Sequence, residues 1–195
     1  MRTQRRRRTL GALVAIALVV AIGLMITHVN HAVNEFELPL SDASVIREQA
    51  RAKHLDPALI AAVIYAETKF EPRTSSAGAE GLMQIEPETA EFLAKLSGGY
   101  RFTTSDLGTP SVNVAYGSYY LRYLLEHYDG DEMLAVAAYN AGLANVDKWV
   151  AQARAEGREL TVEEIPFSET RAYVKRVLEA QKNYRATYGK QLGLN

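Results

Sequence analysis

Helix start and stop signals follow one another along most of this chain, and no other feature of the sequence limits the fold as strongly. Asp56 is followed by Pro57, the N-cap and first position of a typical helix start. Helices are predicted over the approximate ranges 43–53, 57–68, 87–97, 112–127, 132–142, 146–155 and 169–188. The segment 70–85 is rich in Pro, Ser and Gly and is predicted to be a loop. No alternating run indicates a strand, so we predict one compact all-α domain over residues 45–190.

The beginning of the chain has the pattern of a membrane anchor. Arg5–Arg8 precede Leu10–Ile26, a stretch of 17 residues without a charge. Extended through Val29 it has 20 residues, which as a helix is about 30 Å, close to one hydrocarbon thickness. The alternative, a buried core helix, would rarely start beside a cluster of arginines.

The arginines also predict an orientation, because basic flanks stay in the cytoplasm. We expect a single-pass protein of the cytoplasmic membrane with its main domain outside the cytoplasm. A cleaved signal peptide is the alternative, but its apolar core has about 7–15 residues, and no convincing Ala-x-Ala follows here. The expected parts are a basic tip over 1–9, a transmembrane signal anchor over 10–29, a linker over 30–44 and the domain over 45–190.

Charge and composition exclude several classes of function. Residues 1–8 contain five arginines, so the remaining chain has 17 basic against 23 acidic residues. An acidic body argues against a nucleic-acid partner. The chain has no cysteine, which excludes disulfides, a thiolate zinc site and a cysteine nucleophile. The four histidines show no ligand spacing, and no metal is expected.

Glu67 is the first candidate for catalysis. Its spacing from Ile60, Val63 and Ile64 puts a carboxylate on the apolar face of a helix, in the last turn. Burial and the negative helix end both disfavour the ionised form, so the pKa of the carboxyl is expected to rise, as a general acid requires. The alternative, which periodicity alone favours, is a surface glutamate at a frayed helix end.

The residues around and after Glu67 form four blocks in a fixed order. The first block is Glu-Thr-Lys-Phe-Glu-Pro, which starts at Glu67, followed by Gly-Ala-Glu-Gly-Leu-Met-Gln-Ile-Glu-Pro-Glu-Thr-Ala, which ends at Ala90. The second block has Pro110, Asn113, Gly117, Tyr120 and Leu121, and the third is Ala137–Gly142. The fourth block has Ile165, Pro166, Glu169, Thr170, Tyr173 and Val174. Together the blocks closely resemble the soluble-type (SLT, family 1) lytic transglycosylases of the lysozyme-like superfamily. The resemblance implies an all-α, lysozyme-like fold similar to goose-type lysozyme. Any one block alone would be a weak signal.

The resemblance also implies a reaction. In this family one glutamate, here Glu67, protonates the glycosidic oxygen between N-acetylmuramic acid and N-acetylglucosamine in peptidoglycan. The same group then takes the proton from the muramic 6-hydroxyl, which closes a 1,6-anhydro ring. This differs from the two-carboxylate scheme of most glycosidases, and no cofactor or metal is implied. The expected partners are peptidoglycan glycan strands and the membrane, and the protein is expected to be a monomer.

Further site residues carry over from the motifs. Gln84 would line the cleft and bind sugar or peptide, although a loop-bracing amide is the alternative. Tyr139 would place its hydroxyl near Glu67, and Glu169 would lie across the cleft. Ser76 is expected to contact substrate, while Asn113 and Asn140 are expected to brace the backbone.

Three positions depart from the family pattern. Thr68 replaces the usual serine and keeps its hydroxyl. The loop before Gly78 is one residue short, so Ser75 could take the place of Ser76. Glu86 stands where an apolar residue is usual. If its side chain faces the cleft, its negative charge would raise the pKa of Glu67, and if it faces solvent, it would not.

Two other functions compete with a membrane-anchored lytic transglycosylase. A muramidase would have the same fold, with water in place of the 6-hydroxyl, and would release reducing ends. A non-catalytic murein-binding module would tether a larger assembly to the wall. The presence of Glu67, Gln84, Tyr139 and Glu169 together argues against such a module, which would not need all four.

Overall fold

The computed structural model describes residues 19–23, 25, 38–98 and 102–194. Two units, Met1–Glu37 and Leu38–Asn195, divide the chain. In the first unit the described residues are helical and exposed. Within the described ranges, no helix is both long and apolar enough to cross a membrane. The predicted tip and most of the predicted membrane helix lie outside the described residues.

The second unit is built mainly from α-helices, as predicted. Over its described residues they are α1 (Ala43–Lys53), α2 (Pro57–Thr68), α3 (Pro87–Ser97), α4 (Pro110–His127), α5 (Glu132–Ala141), α6 (Leu143–Ala155) and α7 (Ser168–Leu192). Short 3₁₀ turns cover Thr104–Gly108 and Val162–Glu164. The last helix runs beyond its predicted end through a kink at Tyr188.

The predicted loop 70–85 contains a small hairpin that sequence analysis did not anticipate. Strands β1 (Arg73–Thr74) and β2 (Glu80–Gly81) pair antiparallel, with Arg73 opposite Gly81 and Thr74 opposite Glu80. Two-residue strands are too short to produce an alternating pattern, so the expectation of a purely helical domain was wrong at this point. Glu80 also bridges to Ile85, and Leu82 between them bonds to Thr68 at the end of α2, so the loop after the hairpin lies beside that end.

Helix α2 forms the centre of the core. Residues 58–64 are completely buried, so the helix is covered on all sides instead of being amphipathic. Three of these seven residues are alanines, and such small side chains let neighbouring helices approach closely. Helix α7 packs along α2, and α5 packs on α7. The buried helix therefore carries its C-terminal glutamate into the middle of the domain.

The compact unit starts at Leu38, within the predicted linker 30–44. Leu38 is buried, and its carbonyl oxygen accepts a hydrogen bond of 2.9 Å from the hydroxyl of Tyr188. The carbonyl oxygen of Pro39 accepts one of 2.7 Å from Tyr184. These two contacts could not be predicted from hydrophobic periodicity, because the partners of the backbone oxygens lie on α7, about 150 residues further along the chain.

Candidate active site

A polar cleft opens at the C-terminal end of α2 and has a volume of about 490 Å³. It is lined by Glu67, Ser75, Ala77, Ala79, Gln84, Ile85, Glu86, Thr89, Tyr120, Tyr139, Asn140, Ala141, Gly142 and Glu169. Four of the five predicted site residues are among these side chains. The fifth, Ser76, is exposed and does not line the cleft, whereas its neighbour Ser75 does.

A sharp turn directly after α2 leaves Glu67 at the edge of the cleft. Lys69 and Phe70 both adopt the left-handed backbone conformation, with φ values of 53° and 66°. Thr68 is buried, and its hydroxyl donates a hydrogen bond of 2.8 Å to the carbonyl oxygen of Leu82. Thr68 has the same hydroxyl group as the serine that is usual at this position, and this hydroxyl connects the end of α2 to the hairpin loop.

Glu67 is half-buried, and its carboxylate accepts a hydrogen bond of 2.7 Å at Oε1 from the hydroxyl of Tyr173. Burial raises the pKa of Glu67 above its ordinary value. The hydrogen bond from Tyr173 and the positive charges of Arg176 and Arg73 oppose that rise without cancelling it. The Glu67 carboxyl is therefore a weaker acid than an ordinary glutamate and stays protonated to higher pH, as a general acid requires.

Tyr139 lines the cleft together with Glu67, and its hydroxyl bonds to the backbone. Its hydroxyl donates a hydrogen bond of 2.9 Å to the carbonyl oxygen of Met83 and not to Glu67. Burial, and then the negative charge of Glu67, keep the pKa of Tyr139 well above its ordinary value. The phenol stays neutral, and it braces the hairpin loop from the opposite wall.

Two amide side chains hold the loop that forms the cleft floor. Gln84 donates from Nε2 to the carbonyl oxygens of Arg73 at 2.7 Å and Gly81 at 2.9 Å. The loop-bracing alternative for Gln84 therefore applies, although the side chain also lines the cleft. The buried Asn113 accepts from Met83 N at 2.8 Å and donates to the carbonyl oxygens of residues 80 and 107. The expectation that Asn113 braces backbone is confirmed.

The two other carboxylates of the cleft, Glu86 and Glu169, are both exposed. Glu86 faces the cleft, but the charges that act on Glu67 come from the arginines named above. Burial, Tyr123 and Glu86 together raise the pKa of Tyr120 to about 12. Asn140 accepts a hydrogen bond of 2.8 Å from Thr170, which connects α5 to the first turn of α7 beside Glu169.

Tyr173 is the site residue that sequence reasoning missed. Tyr173 belongs to the last motif block, but no functional role was predicted for it, because it shares a helix face with apolar residues typical of a core. Only 2% of the side chain is exposed, and its single polar atom reaches a residue 106 positions away. A buried tyrosine hydroxyl needs a hydrogen-bond partner, and that requirement was the available signal.

The helical architecture, with one half-buried glutamate at the end of a buried helix beside a small hairpin, defines a lysozyme-like domain. The chain belongs to the transglycosylase SLT domain family, whose family model matches residues 44–162. A model of the soluble lytic transglycosylase helical domain matches residues 164–194, which cover α7.

Similar proteins include both soluble and membrane-bound enzymes. The soluble lytic murein transglycosylase of Salmonella typhimurium is 34% identical over 82% of this chain and 25% of its own length. The membrane-bound lytic murein transglycosylase C of Actinobacillus pleuropneumoniae is 30% identical over 85% of this chain and 50% of its own. The crystal structure of the 70 kDa soluble lytic transglycosylase of Escherichia coli superposes with a TM-score of 0.75 at 32% identity, over 83% of this chain and 27% of that one. The chain thus spans only a quarter to a half of the length of these relatives.

Proposed function

We propose that this protein is a lytic transglycosylase of peptidoglycan. It cleaves the β-1,4 bond between N-acetylmuramic acid and N-acetylglucosamine and leaves 1,6-anhydromuramic ends. The observation that carries the proposal is the environment of Glu67, a half-buried carboxyl hydrogen-bonded to Tyr173 in a polar cleft. Membership of the SLT family and the lytic transglycosylases among the relatives support the same reaction.

In the first step the protonated Glu67 donates its proton to the glycosidic oxygen. The bond from that oxygen to the muramic anomeric carbon then breaks, and the N-acetylglucosamine side leaves with a hydroxyl group. Burial suits Glu67 to this role, because it raises the pKa and keeps the carboxyl protonated at higher pH. The N-acetyl group of the substrate assists at the anomeric carbon, so no enzyme nucleophile is required.

In the second step Glu67 acts as a base. The muramic 6-hydroxyl oxygen attacks the anomeric carbon, and its proton returns to the carboxylate, so the cycle consumes no water. Tyr173 and the nearby arginines stabilise the carboxylate between the two steps. The same contacts that limit the rise in pKa therefore make proton release possible.

The remaining cleft residues bind and position the glycan strand. Gln84 and Tyr139 hold the loop and contact sugar, Glu169 faces the acetamido group from the start of α7, and Ser75 or Ser76 contacts substrate from the loop. Ser75 is the better placed of the two, since it lines the cleft and its hydroxyl accepts from Ala79 N at 3.0 Å. The catalytic domain is assigned to about 45–190 and acts as a monomer.

The location follows from the beginning of the chain. Five arginines before an uncharged stretch of 17 residues support a single-pass anchor with the catalytic domain outside the cytoplasm. The described apolar residues of that stretch are helical and exposed, as lipid-facing side chains would be. A relative described as membrane-bound supports a location at the membrane. Protease treatment of intact spheroplasts tests it, since an exported domain is digested without lysis and a cytoplasmic one is protected.

Digestion of purified peptidoglycan sacculi tests the reaction. The 195-residue chain in detergent is compared with Glu67→Gln, and the released muropeptides are measured by mass spectrometry. Glu179→Gln is the matched control, because Glu179 is exposed on α7 and does not line the cleft. We expect products one water lighter than hydrolytic ones from the wild type and the control, and a loss of about 100- to 10,000-fold in Glu67→Gln.

Each other outcome points to a different function. Products of full mass with reducing ends would make the protein a muramidase. Binding of sacculi without any product from the wild type would make it a murein-binding module. Equal activity in Glu67→Gln and the wild type would remove Glu67 from the mechanism.

A further inference from the structure

Two helices that line the cleft each continue beyond it with an aromatic side chain. Thr89 on α3 and Tyr120 on α4 belong to the cleft wall, whereas Phe92 and Tyr123, three residues further along, do not. Residues three apart lie on the same face of a helix. The rings of Phe92 and Tyr123 meet edge to face, with centroids 5.5 Å apart. These two rings form a joined surface beside the cleft, which we call the aromatic shelf.

Phe92 of the shelf is exposed, unlike most large apolar side chains of the compact unit, whereas Tyr123 is half-buried. Phe92 is 43% exposed, and Leu96 in the next turn of α3 is 51% exposed. Over the described residues from 38 onward, the one other exposed large apolar side chain is Phe167. A cluster of exposed apolar side chains on a soluble domain marks a binding surface more often than single exposed residues do.

A row of rings connects the shelf to the catalytic residue. Tyr139, whose pKa responds to the charge of Glu67, lies 5.3 Å from Tyr120 between ring centroids. Tyr120 stacks on Tyr123 with centroids 6.5 Å apart and ring planes 14° from parallel. The shelf is therefore continuous with the cleft and is not a separate patch elsewhere on the surface.

We propose that the aromatic shelf binds a sugar residue of the glycan strand that lies further along the strand than the bond to be cleaved. The proposal rests on the proposed function, because it takes the strand in the cleft to be the ligand. A pyranose ring has a face of C–H groups and a rim of polar groups. Aromatic rings cover the apolar face, and water still reaches the rim.

Continuity with the cleft favours a sugar over other apolar occupants. Tyr120 lines the cleft and is in ring contact with Tyr123, which is in ring contact with Phe92, so a glycan strand that touches Tyr120 lies beside the shelf. The strand length that the enzyme prefers would then depend on the shelf. Short oligosaccharides end before it, whereas long strands reach it.

The test uses peptide-free glycan strands as the probe, in two preparations. One is the shortest oligosaccharide that the full chain cleaves, and the other is long strands. For Phe92→Ala we expect KM on long strands to rise about two- to tenfold, with kcat unchanged and no effect on the short substrate. Phe92→Tyr should restore the wild-type values, because it keeps a flat ring.

Two further variants distinguish a sugar site from a general apolar surface. Phe92→Leu keeps an apolar side chain but loses the flat ring, so it should behave like Phe92→Ala. Full long-strand affinity in Phe92→Leu would mean that a general apolar contact suffices, and it would overturn the proposal. Phe167→Ala removes an equally exposed aromatic residue that contacts Trp149 and does not line the cleft, and it should leave both substrates unaffected.

Binding measurements keep this proposal separate from the proposed function. Fluorescently labelled long and short strands are titrated against Glu67→Gln and against the double variant Glu67→Gln with Phe92→Ala. Weaker binding of long strands alone in the double variant supports the shelf, even if the wild type cleaves nothing. Equal binding in the two proteins, or an equal loss for both lengths, overturns it whatever the wild type does.

Discussion

Tyr173 donates its hydroxyl hydrogen to Oε1 of Glu67 over 2.7 Å, a contact that joins α7 to the end of α2 across 106 residues of sequence. Burial raises the pKa of Glu67, and this hydrogen bond lowers it. The acid strength of the Glu67 carboxyl thus depends on a side chain from the last helix. Substitutions of Tyr173 should change the pH dependence of the enzyme more than its ability to bind substrate.

Replacing Tyr173 with Phe removes the hydrogen bond and keeps the ring. We expect the pKa of Glu67 to rise further, so the high-pH limb of the kcat profile moves to higher pH. A less acidic carboxyl is a weaker proton donor, and kcat below that limb should fall about tenfold. The measurement is muropeptide release from sacculi over a series of pH values.

Tyr184→Phe is the control for this substitution. Tyr184 is also buried on α7, but its hydroxyl bonds to the backbone of Pro39. The Tyr184→Phe variant should have a lower free energy of unfolding, while the pH dependence of kcat stays unchanged. If both variants shift the limb equally, the effect of Tyr173→Phe comes from helix packing and not from the hydrogen bond to Glu67.

Glu67→Gln should stabilise the protein while it inactivates it. Because the folded-state pKa of Glu67 is raised, the native state binds the proton more tightly than the unfolded chain. The resulting stabilisation is complete below the unfolded-state pKa and is lost as pH rises through the folded-state value. The neutral glutamine avoids that loss, so we expect Tm to increase by on the order of a few degrees at neutral pH.

Thermal unfolding at several pH values checks this expectation. The difference in Tm between Glu67→Gln and the wild type should grow from acidic to neutral pH. The same change at the exposed Glu179 should leave Tm unaltered at every pH. A constant difference across the pH range would show that the ionisation of Glu67 is not its source.

Asn113→Ala should destabilise the loop that carries Gln84. The substitution leaves the backbone N–H of Met83 and two carbonyl oxygens without their side-chain partner, in a completely buried place. We expect a loss of about 3 kcal/mol in the free energy of unfolding, together with lower activity. Asn145→Ala removes one exposed hydrogen bond and should cost under about 1 kcal/mol in the same urea titration.

Gly117 and Ser118 are neighbours on α4 with opposite expectations. A Cβ at Gly117 would lie 2.4 Å from the sulfur of Met83, so Gly117→Ala should cost about 1–3 kcal/mol through displacement of Met83. The buried Ser118 hydroxyl has no hydrogen-bond partner in the described structure, and Ser118→Ala should be neutral or stabilise by about 1 kcal/mol. Chemical denaturation of both variants compares them directly, and equal losses would contradict the packing argument.

Local signals predicted the helices well, because their causes are local. Asp56 caps α2 by accepting a hydrogen bond of 2.9 Å from the backbone N–H of Ala58, as the Asp-Pro pair indicated. The end of α3 at Gly98 and the cap of α5 at Asp131 also follow residue types at fixed offsets. The hairpin could not be read in this way, because its strands are held by pairing and by the side chain of Asn113 and not by propensity.

Site residues were predictable only as far as motifs carried them. Glu67, Gln84, Tyr139 and Glu169 were identified from the family blocks, and all four line the same cleft. The hydrogen bonds of Glu67 and Tyr139 were not predictable, because each joins segments far apart in the chain. Tyr139 bonds to Met83 and Tyr173 bonds to Glu67, whereas the motifs predicted only that the hydroxyl of Tyr139 lies near Glu67.

By itself, the sequence determined where helices begin and end, which glutamate is the catalytic candidate, and which family the chain resembles. Helix ends and motifs depend on residues within a few positions of each other, so they can be read along the chain. The tertiary structure alone decided that α2 is buried on every side, and that a tyrosine from α7 reaches Glu67. Burial and long-range hydrogen bonds exist only once distant segments pack, and both change the proton affinity of the Glu67 carboxyl.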